Sequence, residues 1–261
     1  MSFRGISAPN AHSNDTPRRS ECSGQVRQNI RSLARTVAAA VIFAAVAVAS
    51  VTAASPGTAR GASEGCADVE VVFARGTFEA PGIGATGQGF VDALRSRAGN
   101  RIVNVYPVNY PASLDFARAA DGVVDAGNRI RATAERCPDT DIIVGGYSQG
   151  AAVNAYAISD GVPVGYAFPA GLTGPMPTAV ADHVSAVVLF GRPSPFVARL
   201  AVSDAPPQSI APAYQGKTLD LRAPRDPICV AGGLDRNAHS AYLVNGMTEQ
   251  AADYAVQRLR G

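Results

Sequence analysis

DIIVGGYSQGAAVNAYAI, residues 141–158, reads as a buried strand that runs straight into a helix. Asp141–Gly145 is an apolar, β-branched run of the kind found in strands covered on both faces. The Ala-rich stretch 149–158 follows at once. Between them stands Gly146-Tyr147-Ser148-Gln149-Gly150, a G-x-S-x-G turn. Its glycines let strand and helix approach closely and present the serine hydroxyl at the apex. The pentapeptide alone is weak evidence in a chain with 26 glycines; the strand before it and the helix after it make it specific. Ser148 is therefore the candidate nucleophile, the plain alternative being a serine that only caps its helix.

Outward from this turn, short β-branched runs alternate with amphipathic stretches from residue 67 onward, the pattern of a parallel sheet with helices on both faces. The expected strands are Val69–Ala74, Ile102–Val108, Asp141–Gly145, Ser185–Phe190 and Thr218–Arg222. Helices are expected at about 86–98, 116–136, 149–158 and 240–259. In the last of these, Met247, Ala251, Tyr254, Ala255 and Leu259 recur at three- and four-residue spacing. Residues 161–183 are rich in proline and glycine and read as a loop with at most one short helix. The fold class is α/β, a doubly wound five-stranded parallel sheet in one catalytic domain, 60–261.

A serine hydroxyl needs a base to take its proton as it attacks. The chain has three histidines. His12 falls in the leader, and His183 stands at the entrance to a strand, on the wrong side of the sheet. His239 remains, after the fifth strand, where loops at the carboxyl ends of strands gather. The acid that orients it belongs between Ser148 and the histidine, after a late strand. Asp226, in LDLRAPRDPIC, fits, with Asp235 as the substitute. Developing negative charge on the substrate oxygen requires two backbone N–H donors. Gln149, next to the nucleophile, supplies one, and Thr77 in the loop after the first strand the other; its hydroxyl is a third donor. PGIGATGQG (81–89) lacks the Lys-Ser/Thr ending of a phosphate loop and reads as a loop and helix start.

With 261 residues, 47% hydrophobic and 17% charged, and a formal net charge of +2, the chain suits one large core and offers no nucleic-acid surface. Basic residues 1–35, the apolar run 36–54 and a small, polar stretch after it match a secretory leader, 1–59, cleaved near 54–59. Thirty-five basic-region residues are long for such a leader, and Val26, before Arg27, Arg31 and Arg35, is expected as the true start. Of four cysteines, Cys22 belongs to the leader. Export favours a disulfide, and Cys66, before the first strand, pairs in this reading with Cys137, before the strand that leads to Ser148. Cys229 is left over, as a buried thiol or an intermolecular site.

Cys66, VVFARGT (71–77), NYPAS (109–113), GGYSQGAAV (145–153), LFGRP (189–193), DPIC (226–229) and His239 together resemble the cutinase family, in particular the cutinase-like esterases exported by mycobacteria and related actinobacteria. The resemblance covers about residues 66–260. It implies an α/β-hydrolase without a lid domain, the triad Ser148, Asp226 and His239, the oxyanion donors Thr77 and Gln149, and the Cys66–Cys137 disulfide. The family usually has a second disulfide to the cysteine of DPIC; here Arg222 stands where that partner is expected, so the Asp226 loop is expected to be less rigid unless Arg222 pairs with a nearby acid. The loop 227–238 has Leu234 as its one large apolar tip beside Asp235, Arg236 and Asn237, a polar rim suited to short or medium acyl esters.

The expected protein is a secreted, extracellular or wall-associated monomeric serine esterase or lipase acting on a small-molecule or lipid ester. It needs no cofactor and no metal, and has no membrane span after leader cleavage. Two other readings stand beside it: an acyltransferase using the same triad, and a weakly active exported binding protein.

Overall fold

Five short runs of β-branched residues build a single sheet in the computed structural model, which describes residues 65–161 and 169–260. The expected leader, its cleavage region and Val26 lie outside the described residues, as do 162–168 of the proline- and glycine-rich loop. The strands are β1 (Val69–Ala74), β2 (Val103–Pro107), β3 (Asp141–Tyr147), β4 (Val184–Phe190) and β5 (Thr218–Leu221). All run parallel, in the order β2-β1-β3-β4-β5. Val71 lies opposite both Val105 and Ile143, and Val188 opposite both Gly145 and Leu219.

Because strand side chains alternate between faces, each central strand feeds two cores. Val69, Val71 and Phe73 of β1 enter one, and Val72 and Ala74 the other. The first is closed by α1 (Gly84–Arg97) and α6 (Met247–Val256), through Phe90 and Leu94 on α1 and Ala251 and Ala255 on α6. Phe73, Phe90 and Phe190 meet at its centre, with ring centroids 6.1–6.4 Å apart. The second is closed by α2 (Ala119–Arg136) and α3 (Gln149–Ala157), through Val123, Ala126 and Ile130 on α2 and Val153 on α3. The spacing of Val123, Ala126 and Ile130 is that of one helical face. Two short helices, α4 (Pro195–Ala201) and α5 (Pro212–Gln215), interrupt the connection from β4 to β5.

The chain leaves β1 toward one edge of the sheet and returns from β2 across β1 to β3, so the order reverses between β1 and β3. At such a switch point the loops at the carboxyl ends of the strands diverge and leave a crevice. Ser148 stands at that end. At the opposite end Cys66 and Cys137, 71 positions apart, form the expected disulfide. His183 Nδ1 lies 3.0 Å from Pro138 O at this amino-terminal edge, away from Ser148 as expected.

Besides α4 and α5, which fall outside the expected helices, the last helix departs from expectation. The helix read over 240–259 begins only at Met247; residues 236–243 form a 3₁₀ helix instead. Gly246, at φ 82°, breaks the continuity, because a left-handed residue ends one helix and re-aims the chain.

Candidate active site

The close approach that the G-x-S-x-G turn requires is plain in the backbone. A Cβ on Gly150 would stand 2.1 Å from Ala74 O, and one on Gly146 would stand 2.4 Å from Gly150 O. Neither position has room for a side chain. Ser148 itself adopts φ 55° and ψ −119°, strained for an L-residue, and its N–H donates to Phe190 O at 2.8 Å. Among the described residues the non-glycine residues with left-handed φ are Phe78, Ala112, Ser148 and Arg225. All four lie in loops after strands β1, β2, β3 and β5. Such strain persists only where surrounding structure enforces it, and it clusters at functional sites.

Ser148 Oγ lies 2.9 Å from His239 Nε2, and His239 Nδ1 lies 2.8 Å from Asp226 Oδ2. The three residues expected from the sequence thus form one continuous hydrogen-bonded line, drawn from the ends of β3 and β5 and from the 3₁₀ helix 236–243. Asp235 starts that helix by accepting the Asn237 N–H at 3.0 Å, a capping role rather than a catalytic one. Asp226 is 0% exposed. Burial alone pushes its carboxyl up, but hydrogen bonds from His239, Tyr242, the Ile228 N–H and Cys229 outweigh that and hold it down at about 2. It is therefore ionised across the neutral range, as a partner for an imidazolium must be.

Two tyrosines complete this frame: Tyr147, from within the G-x-S-x-G turn, and Tyr242, which no motif marks. Tyr242 donates its hydroxyl to Asp226 Oδ2 at 2.7 Å and accepts the Ala223 N–H at 3.0 Å. Its ring stands edge-on to His239 at 6.2 Å. Tyr147 stacks on the imidazole at 5.1 Å and donates to His239 O at 2.6 Å. Together they leave the histidine ring little freedom to turn.

Thr77 and Gln149 face each other across the turn. Thr77 Oγ1 donates to Gln149 Oε1 at 3.3 Å, and Gln149 Nε2 donates to Ser113 O at 3.2 Å. The Thr77 hydroxyl is therefore engaged with Gln149 and not simply a spare donor. The Gln149 side chain bridges the loops after β1 and β2. The β1 loop is braced from below: Glu79 accepts the N–H groups of Gly76 at 2.6 Å and Ala85 at 2.8 Å. Buried Arg75 donates to Glu79 O and Tyr110 O. Arg75 lies within VVFARGT and Glu79 two residues after it, with no further signal in the sequence for either bracing role.

Cys229 is a free, buried thiol. Burial foremost, with Asp226 beside it, pushes it up to about 11, so it stays protonated at neutral pH. In place of a second disulfide, Arg222 donates to Cys229 O at 3.2 Å and to Asp220 Oδ2 at 3.0 Å. The Asp226 loop thus keeps a polar tie to the end of β5. The loops after β1 and β2 add the exposed apolar side chains of Phe78 and Leu114, which loop 227–238 alone did not indicate.

A family model described as Cutinase matches residues 65–259. The chain is 45% identical to Carboxylesterase Culp1 of Mycobacterium tuberculosis over 207 residues, 78% of this chain and 88% of that protein. It is 43% identical to Phospholipase Culp4 of the same species over 205 residues, 78% of this chain and 84% of that one. Among solved structures, Trichoderma reesei cutinase in complex with a C11Y4 phosphonate inhibitor superposes with a TM-score of 0.58 at 30% identity, covering 75% of this chain and 78% of that one. A cutinase-like protein from Cryptococcus sp. shares the fold, with a TM-score of 0.57 at 23% identity, over 76% of this chain and 98% of its own. With the match spanning the sheet, both helical layers and every loop that carries Ser148, Asp226 and His239, the chain belongs to the cutinase family and is a carboxylic ester hydrolase.

Proposed function

We propose that this protein hydrolyses short to medium acyl esters through an acyl-enzyme on Ser148, and that it does so outside the cytoplasm. The observation that carries the reading is the unbroken line Ser148 Oγ, His239 Nε2, His239 Nδ1, Asp226 Oδ2, at 2.9 and 2.8 Å. Neutral His239 donates Nδ1–H to the Asp226 carboxylate, which leaves Nε2 free to accept the serine proton. As Oγ bonds to the ester carbon, that proton passes to Nε2 and the carbonyl oxygen becomes an oxyanion. The backbone N–H groups of Thr77 and Gln149 receive it. Collapse breaks the ester C–O bond, and the leaving alcohol takes the proton from the imidazolium. Water then attacks the acyl-enzyme, giving its proton to Nε2, and the acid departs as Ser148 recovers its hydrogen.

The polar tip residues Asp235, Arg236 and Asn237 favour a substrate whose acyl chain is short or medium. Carboxylesterase and phospholipase relatives favour an ester of a small alcohol or a lipid. The Cys66–Cys137 disulfide and the leader pattern favour an oxidising, exported setting. The decisive experiment is hydrolysis of p-nitrophenyl esters from acetyl to palmitoyl by protein beginning near Ser55, beside its Ser148→Ala variant. Loss of the nucleophile is expected to lower kcat by about 10⁴-fold or more, with rates highest at the shorter chains. Equal rates in both proteins would overturn the acyl-enzyme, and a palmitoyl optimum would overturn the chain-length reading.

A further inference from the structure

A second charged feature lies beyond the Asp226 loop. α4 exposes Phe196 (71%) and Leu200 (72%), and no other described element covers them. Beside α4 is a cavity of about 350 Å³ lined by Arg192, Arg199 and Arg222, with Gln208 and prolines of the β4–β5 connection. Three guanidinium groups line it, and two of them share one carboxylate. Asp220 Oδ2 accepts from Arg192 at 2.7 Å and from Arg222 at 3.0 Å, while Arg199 has no acidic partner among the described residues. Asp204 stands exposed in the turn after α4. The excess of positive charge persists toward the site. Ser194, at the start of α4, donates its N–H to Ile228 O at 2.8 Å, and Asp235 donates its N–H to Arg225 O at 3.1 Å. Those bonds join α4, the Asp226 loop and the His239 loop into one surface. On it Arg225, Leu234 and Arg236 are exposed, again with no ion pair for either arginine among the described residues.

We infer that α4 and the arginine recess beside it dock the protein on an anionic phospholipid surface, with headgroup phosphates against Arg192, Arg199 and Arg222 and the side chains of Phe196 and Leu200 among the acyl chains. Guanidinium groups pair with phosphate in forked geometry. An apolar residue next to a basic one matches the layering of headgroup over hydrocarbon. A second copy of the same surface is disfavoured, because like charges would face each other. Docking through α4 turns the loops around Ser148 toward the lipid, so esters at that surface reach the serine without crossing bulk water. The proposal concerns where the enzyme sits and stands apart from how Ser148 reacts.

Its test is co-sedimentation with vesicles, using Ser148→Ala protein so that hydrolysis cannot alter them. Vesicles of phosphatidylcholine mixed with phosphatidylglycerol are expected to bind the protein at least about tenfold more tightly than phosphatidylcholine alone, with binding weakened by salt. Arg199→Glu and the pair Phe196→Ser, Leu200→Ser are each expected to weaken binding about tenfold. Their unfolding midpoints are expected to match the parent, and with Ser148 restored so is their hydrolysis of soluble p-nitrophenyl esters. Equal binding to both vesicle types, or variants that bind like the parent, would overturn the inference. So would a rise in unfolding midpoint with inorganic phosphate when neither vesicle binds, which would make the recess a site for a free anion.

Discussion

Asp226 Oδ2 takes hydrogen bonds from both His239 Nδ1 and the Tyr242 hydroxyl, while Oδ1 takes the Ile228 N–H at 2.8 Å. A carboxylate held by so many donors can neither rotate nor gain a proton readily, and its position at about 2, against an ordinary 3.8, records this. The sign follows from the lowered value. Its contribution to stability is complete above about pH 4 and is lost as pH falls toward 2, a loss of about 2 kcal/mol. Urea midpoints measured from pH 6 to pH 2 are therefore expected to fall more steeply for the parent than for Asp226→Asn; parallel curves would contradict the account. Tyr242→Phe removes one donor and leaves the carboxyl less lowered, so its loss of stability in acid is expected to be smaller than the parent's and kcat to fall about tenfold, with KM little changed. The sequence made Ser148, His239 and Asp226 legible because a motif, elimination among three histidines and chain order each narrowed the choice. Tyr242 was not legible. Its role arises only where the 3₁₀ helix 236–243 turns its hydroxyl back toward β5, and spacing along the chain cannot show that.

Elements were legible where one period dominated. β1, β3 and α2 show near-continuous burial or a clean helical face, and their ends agree with expectation to within a few residues. α4 and α5 went unread because each is too short for a period to show and begins with proline in a stretch that otherwise looks like loop. The final helix is shorter than its period suggests, because the spacing of Met247, Ala251 and Ala255 continues backward in the sequence across Gly246, where the backbone turns left-handed. The β3–α3 turn is where element geometry and chemistry are least separable. Gly150→Ala would drive a Cβ to within 2.1 Å of Ala74 O, and backbone atoms of a central strand cannot yield. The substitution is expected to cost about 3 kcal/mol and to displace Ser148, so that urea midpoint and kcat fall together. A variant with parent stability and parent rate would show that strand and helix do not need this approach.

Across the whole molecule, chemistry and covalent restraint occupy opposite ends of the sheet. Ser148, Asp226 and His239 gather at the carboxyl ends of β3 and β5 and in the 3₁₀ helix 236–243. Cys66–Cys137 joins the start of β1 to the end of α2 at the other end, where Arg260 also pairs with Asp141 at 2.7 Å. The central strands β1, β3 and β4 between the two ends are almost wholly buried. Closing a loop of 71 residues restricts the unfolded chain, an effect worth about 4 kcal/mol in the chain-entropy model. It leaves the folded site untouched. Replacing both Cys66 and Cys137 with serine is thus expected to lower Tm by roughly 10 °C while kcat on a soluble ester at 25 °C stays within about twofold of the parent. If kcat instead collapsed with Tm little changed, the bond would be setting the geometry of the site through the sheet, and the division of labour between its two ends would be wrong.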